Sequence, residues 1–238
     1  PDEVPTPTSG EHVRSTRNMV IGLVVVALAV VGVVGAVMLS GGEASAPVGA
    51  VAAVQDDHLS TEPIETIPAR LDLLADTGAT TTRVDVFWSS VAPRRPVDPT
   101  DPAARAYDSS RVDRILPGLA QRSITPIVSV YSAPAWATGG TTDGAPPINR
   151  LAPDPGDFGR FMEAFATRYD GRFAGSGAET LPEVRFIEVW NEPNLSGFLI
   201  PSDQDPATRL DTYAALDRAA FAAIRAANPD AKVLVGVG

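Results

Sequence analysis

The sequence contains no cysteine. Disulfides, thiol nucleophiles and cysteine-based metal sites are excluded at once. Histidine is almost missing too, with only His12 and His58 in 238 residues. Two histidines do not supply a multi-histidine metal centre, and no metal or organic cofactor is expected. Basic clusters are absent: 19 Lys and Arg stand against 29 Asp and Glu, a net charge of −10. Nucleic-acid binding draws its affinity from Lys and Arg neutralising phosphates, so no nucleic-acid partner is expected. The acidic balance suits a neutral ligand better than a polyanion. No Gly-x-Gly-x-x-Gly follows the first expected strand, and a dinucleotide-binding fold loses its main support.

What is present begins with a polar tail. Residues 1–18 are rich in Pro, Thr and Ser and read as a disordered, cytoplasmic segment. An uncharged apolar run of 21 residues comes next, from Met19 to Leu39. At 1.5 Å per residue it gives a helix of about 31 Å, matching a bilayer core of about 30 Å. Residues 19–39 are therefore expected to be a transmembrane helix. Arg14 and Arg17 precede the run, and Glu43, Asp56 and Asp57 come after it. The positive-inside rule then keeps the N-terminus in the cytoplasm and sends the rest of the chain out. The expected location is the cell membrane, single-pass. Secretion after cleavage at Ala44-Ser45-Ala46 is the alternative, although the apolar run exceeds the usual length of a signal peptide core. Residues 40–50, made of Ser, Gly, Ala and Pro with one Glu and one Val, read as a flexible linker. Pro1 in place of Met implies an upstream start.

From about residue 48 strands and helices alternate. A first strand over 48–54 ends in Asp56-Asp57-His58. A helix over 64–75 puts Ile67, Leu71 and Leu74 on one face, with Gly78 as its C-terminal cap. A second strand covers 81–88. After a Pro- and Asp-rich loop, Ser109 or Ser110 caps a helix whose Val112, Ile115, Leu116 and Leu119 form a buried stripe. The third strand, 124–131, leads into Ser132-Ala133-Pro134-Ala135-Trp136 and a long loop to about Pro155. Phe158, Phe161, Met162, Phe165 and Tyr169 mark the next helix. A fourth strand over 184–190, an Ala-rich helix over 211–227 and a fifth strand over 232–237 complete the series. Apolar strands alternating with helices imply a parallel α/β sheet, either an open doubly wound sheet or a TIM (β/α)8 barrel. Five strands cannot close such a barrel. The favoured expectation is a barrel truncated after about strand five, occupying residues 51–238.

The stretch that organises this part is Phe186-Ile187-Glu188-Val189-Trp190-Asn191-Glu192-Pro193. β-Branched and aromatic residues favour a strand, and Pro193 cannot extend one because it lacks an N–H. Asn191 and Glu192 therefore sit where a buried strand opens into a loop. Partial desolvation at such a rim favours the protonated form of a carboxyl group, the form needed to donate a proton.

Ile187-Glu188-Val189-Trp190-Asn191-Glu192-Pro193 on a fourth strand resembles the acid/base motif of retaining glycoside hydrolases built on (β/α)8 barrels, a group that includes the cellulase-like family 5 and the β-xylosidase-like family 39. Arg83-Val84-Asp85, Ala133-Pro134-Ala135-Trp136 and Asn228-Pro229-Asp230-Ala231-Lys232 are similar to that group as well. The resemblance implies hydrolysis of a β-linked poly- or oligosaccharide. Glu192 would be the general acid and then the base. Asn191 would bind the sugar 2-hydroxyl, Arg83 would orient the carboxylates, Trp136 would stack on a sugar ring and His58 would bind sugar hydroxyls. The nucleophile of these enzymes is a Glu ending strand seven, which lies outside residues 1–238, so this stretch alone is expected to be inactive. Glu188 shares strand parity with Glu192 but sits about 13 Å deeper. It is read, like Asp85, as an interior ion-pair partner of Arg83. Trp88 and Trp190 are read as packing residues, and Asp56 and Asp57 as solvated loop acids. The alternative function is a carbohydrate-binding or scaffold protein without turnover.

Overall fold

The computed structural model describes residues 51, 53–138, 150–175, 179–200 and 205–236. The expected tail, membrane helix and linker lie outside the described residues. Among the described residues no helix is long and apolar enough to cross a membrane.

The chain runs β1 (Ala53–Gln55), α1 (His58–Thr61), a 3-10 turn (Ile64–Thr66), α2 (Ile67–Asp76), β2 (Thr81–Phe87), α3 (Trp88–Val91), α4 (Ser110–Gln121), β3 (Thr125–Tyr131), a 3-10 turn (Ala135–Ala137), α5 (Pro155–Arg168), β4 (Phe186–Val189), α6 (Pro206–Ala227) and β5 (Lys232–Val235). The helix expected over 64–75 thus opens as a 3-10 turn. The first strand, expected over 48–54, runs to Gln55, and His58, expected at its end, opens a helix instead, because Asp56 turns the chain, its carboxylate accepting from the His58 N–H at 3.2 Å. Ser109 does occupy the N-cap of α4, but no side-chain bond comes from it. Asp108 takes that role, accepting from the Ser110 N–H at 3.1 Å. Helix α6 starts five residues before the expected Asp211, since the Asp205 carboxylate accepts from the Thr208 N–H at 3.1 Å and Pro206 fits the first turn. Gly78 closes α2 in the left-handed region, with φ +75°.

The five strands are parallel, in the order β1-β2-β3-β4-β5. A doubly wound sheet reverses its order at a switch point, and this sheet does not. Right-handed crossovers in strict sequence put successive helices on one face, as in the wall of a (β/α)8 barrel. The open doubly wound alternative is therefore set aside; the five strands form an arc whose parallel, sequential order is the one such a wall has.

The two faces of the arc differ in chemistry. Toward the helices point Val84, Val86, Val128, Val130, Ile187 and Val189, all buried. They meet Leu71 and Leu74 of α2, Ile115 and Leu119 of α4, and Phe158, Phe161 and Met162 of α5 in one core. Burying each such side chain contributes about 1.5–3 kcal/mol. An aromatic run crosses this core behind the strand ends: Trp88 stacks on Phe161 at 5.2 Å and touches Phe158, which meets Trp190 edge-on at 5.5 Å. The opposite face carries Arg83, Asp85, Ser129 and Glu188. Register aligns them, with Asp85 opposite Ser129 and Ser129 opposite Glu188.

Candidate active site

Arg83 is the hub of the polar face. Its Nε donates to Glu188 Oε2 at 2.7 Å and its Nη1 to Asp85 Oδ1 at 2.8 Å. Its Nη2 donates to Ser129 Oγ and to Asn191 Oδ1, both at 2.7 Å. The Glu188 side chain is 3% exposed and that of Asp85 9%. Two carboxylates this deep need a cation with directed donors, and the guanidinium fork supplies both. The expected interior role of Glu188 and Asp85 as partners of Arg83 is what the geometry displays. Burial raises the Asp85 carboxyl above its ordinary range; Arg83 and the hydrogen bond from Tyr131 pull it back, while Asp57 and Glu188 add to the rise. Tyr131 is likewise pushed up, by burial first and then by the Asp85 charge. It stays protonated and donates to Asp85.

The end of β4 does not keep the strand alternation. Trp190 has φ +69° and Glu192 φ +40°, a region that bulky residues rarely occupy. Trp190, in phase with Glu188, turns away to the helix side. It is fully buried against Phe158, with its Nε1 donating to the Phe198 carbonyl at 3.0 Å. Asn191, out of phase, reaches the polar face instead and meets Arg83. Because Asn191 Oδ1 accepts from Arg83, its amide nitrogen is turned toward Glu192, with Nδ2 3.5 Å from Oε2. The parity that aligns Glu188 with Glu192 on paper thus breaks at Trp190. Backbone strain of this kind gathers at sites where geometry is being held for a purpose.

Glu192 is half-buried and lines a cleft of about 390 Å³ together with Arg83, Asp85 and Asn191. Gln55, Asp57 and Thr61 form the wall on the β1 side, and Phe87, Tyr131 and Phe198 the apolar wall. The structure therefore brings together three of the five residues singled out from sequence: Arg83, Asn191 and Glu192. His58 and Trp136 are not among the residues lining the cleft. His58 opens α1, with its side chain 55% exposed and Nδ1 2.9 Å from Glu62 Oε1. Trp136 donates from Nε1 to the Ala92 carbonyl at 2.8 Å and lies edge-on to Trp88. The Arg95 guanidinium sits 4.7 Å above its ring and is itself tied to buried Asp157 at 2.6 and 3.0 Å.

Sequence reasoning missed Gln55, Thr61, Phe87, Ser129, Tyr131 and Phe198. Ser129 and Tyr131 were within reach, because period-2 alternation on β3 and alignment with Asp85 and Phe87 put both on the polar face. Asp57, read as a solvated loop acid, is exposed and also lines the cleft, where its Oδ1 accepts from Gln55 Nε2 at 2.7 Å. Asp56 is structural, paired with Arg70 at 2.6 and 2.9 Å. Among the described residues no group of three or more Asp, Glu or His could hold a metal ion.

No protein-family model and no curated protein matches the chain. Solved structures do. Fpglu1 from Fervidobacterium pennivoraus shares 17% identity over 72% of this chain and 40% of its own, with a TM-score of 0.51. The virulence factor SghA from Agrobacterium tumefaciens shares 18% over 73% of this chain and 36% of its own, with a TM-score of 0.50. A family 39 glycoside hydrolase from the gut symbiont Bacteroides cellulosilyticus WH2 shares 18% over 77% and 31%, with a TM-score of 0.47. At these identities the likeness is one of fold. The chain spans about a third of the length of the structures it matches.

Proposed function

We propose that this chain carries the acid/base half of a retaining glycoside hydrolase acting on a β-linked poly- or oligosaccharide. The observation that supports it best is the clasp at the end of β4: Arg83 holds Asn191, and Asn191 turns its amide toward Glu192 inside a cleft at the C-terminal strand ends. In barrel enzymes chemistry resides at that end of the strands.

In this reading Glu192 donates its proton to the departing glycosidic oxygen as the bond to the anomeric carbon breaks. As a carboxylate it then takes a proton from the water that releases the sugar. Asn191 Nδ2, fixed by the bond its oxygen accepts, donates to the sugar hydroxyl beside the reacting carbon. A retaining mechanism needs a second carboxylate about 5–5.5 Å from the first. Asp85 is committed to Arg83 and Tyr131, so the nucleophile is assigned to a Glu outside residues 1–238. Residues 19–39 would anchor the enzyme in the membrane with its barrel extracytoplasmic.

A panel of aryl glycosides tests this on the full-length protein. Glu192→Gln is expected to lower kcat about 10²–10⁴-fold, with products of the wild type keeping their anomeric configuration by NMR. Unchanged turnover in Glu192→Gln removes the assignment. Glycan binding with no turnover in the wild type selects the second reading, a carbohydrate-binding protein.

A further inference from the structure

We infer that Tyr213 is a positioning residue for Glu192, acting through the Val189–Trp190 peptide bond; the inference rests on the glycosidase reading above. Tyr213 lies on α6 and is 8% exposed. Its hydroxyl donates to the Val189 carbonyl at 3.0 Å and accepts from the Gly236 N–H at 2.7 Å. Val189 and Val235 form the last aligned pair of β4 and β5. Beyond it the phenol replaces a direct amide–carbonyl bond, linking Gly236 of one strand end to Val189 of the other.

The Val189 carbonyl belongs to the same planar peptide unit as the Trp190 N–H. That N–H donates to the Val130 carbonyl of β3 at 3.0 Å. The plane is therefore held from both sides, by Val130 at its nitrogen and by Tyr213 at its oxygen. The φ of Trp190 sets how the chain leaves this plane, and its value of +69° sends Asn191 to Arg83 and Glu192 into the cleft. Gly236 closes the arrangement. A Cβ at that position would lie 2.7 Å from the Val189 oxygen and 2.8 Å from the Trp190 oxygen. Only glycine lets β5 come this near to the strained bend. Burial pushes the Tyr213 hydroxyl up to about 12, so it remains a donor across the working pH range of a glycosidase.

Positioning of a general acid has a signature that loss of fold does not share. A sugar or alkyl leaving group needs its proton in the transition state, whereas a dinitrophenolate departs without one. In the full-length protein, Tyr213→Phe is expected to lower kcat/KM at least tenfold for a substrate with a sugar leaving group and less than twofold for the dinitrophenyl glycoside. Glu192→Gln serves as the reference and is expected to show the same split, more strongly. Gly236→Ala, which presses on the same two carbonyls from β5, is the second variant and is expected to split in the same direction. An equal fall on both substrates, or no fall on either, in Tyr213→Phe with the split intact in Glu192→Gln overturns the role of Tyr213 alone. Absence of the split in Glu192→Gln overturns the glycosidase reading itself.

Discussion

Asp85 shows how one residue can tie stability to pH. Its folded carboxyl lies above the 3.8 of a free one, chiefly through burial. The folded protein thus holds this proton more tightly than the unfolded chain does. The associated stability is full below the ordinary carboxyl range and is lost as pH rises through the folded value. Unfolding midpoints across a pH series should therefore fall over that window in the wild type, and Asp85→Asn should flatten the fall. An identical slope in both proteins would show that Asp85 does not titrate there. At this scale much of the site was legible in the sequence. Arg83, Asp85 and Glu188 sit at positions whose parity on parallel strands aims them at one another, and a buried sheet face gives a lone cation nowhere else to go. The turn of Trp190 was not legible. Alternation continues by default on paper, and the clamp that stops it comes from Val130 and Tyr213, about 60 and 23 residues away.

Among the elements, α2 and α4 approach so closely that Gly118 has no room for a side chain. A Cβ there would lie 2.4 Å from Leu71 Cδ1, and Leu71 is itself buried. Gly118→Ala should cost about 1–3 kcal/mol by overpacking, offset by up to about 1 kcal/mol of helix propensity. Shortening Leu71 to Ala should make room, so the double variant should be more stable than the sum of the single effects by about 1 kcal/mol or more. Chemical denaturation of the four proteins in the cycle measures this; strict additivity would mean that the two residues do not press on each other. The existence and order of the helices and strands came from apolar spacing, as on α4, where Val112, Ile115, Leu116 and Leu119 are buried as expected. The ends did not. Asp56, Asp108 and Asp205 each compete with a plausible neighbour for the capping or turning role, and which one wins is settled by where the backbone amides point.

For the whole molecule, a polar cleft on one side of the arc is backed on the other by rings. Trp136 lies 5.4 Å from Trp88, Trp88 5.5 Å from Phe158, and Phe158 5.5 Å from Trp190. The three tryptophans of the chain thus belong to one connected train, even though they come from the ends of three different strands. Such a train is a built-in optical gauge. Trp88 and Trp190 see no solvent, so the indole emission of the native protein should be blue-shifted and should move to the red in one step on denaturation, because the train exists only when all three strand ends are in place. Trp190→Phe should dim the native signal while leaving that red shift visible through Trp88. Emission that shifts in separate stages would mean that the strand ends come apart independently. The residue two positions before Glu192 therefore reports, without any added label, on whether the corner that holds Glu192 is assembled.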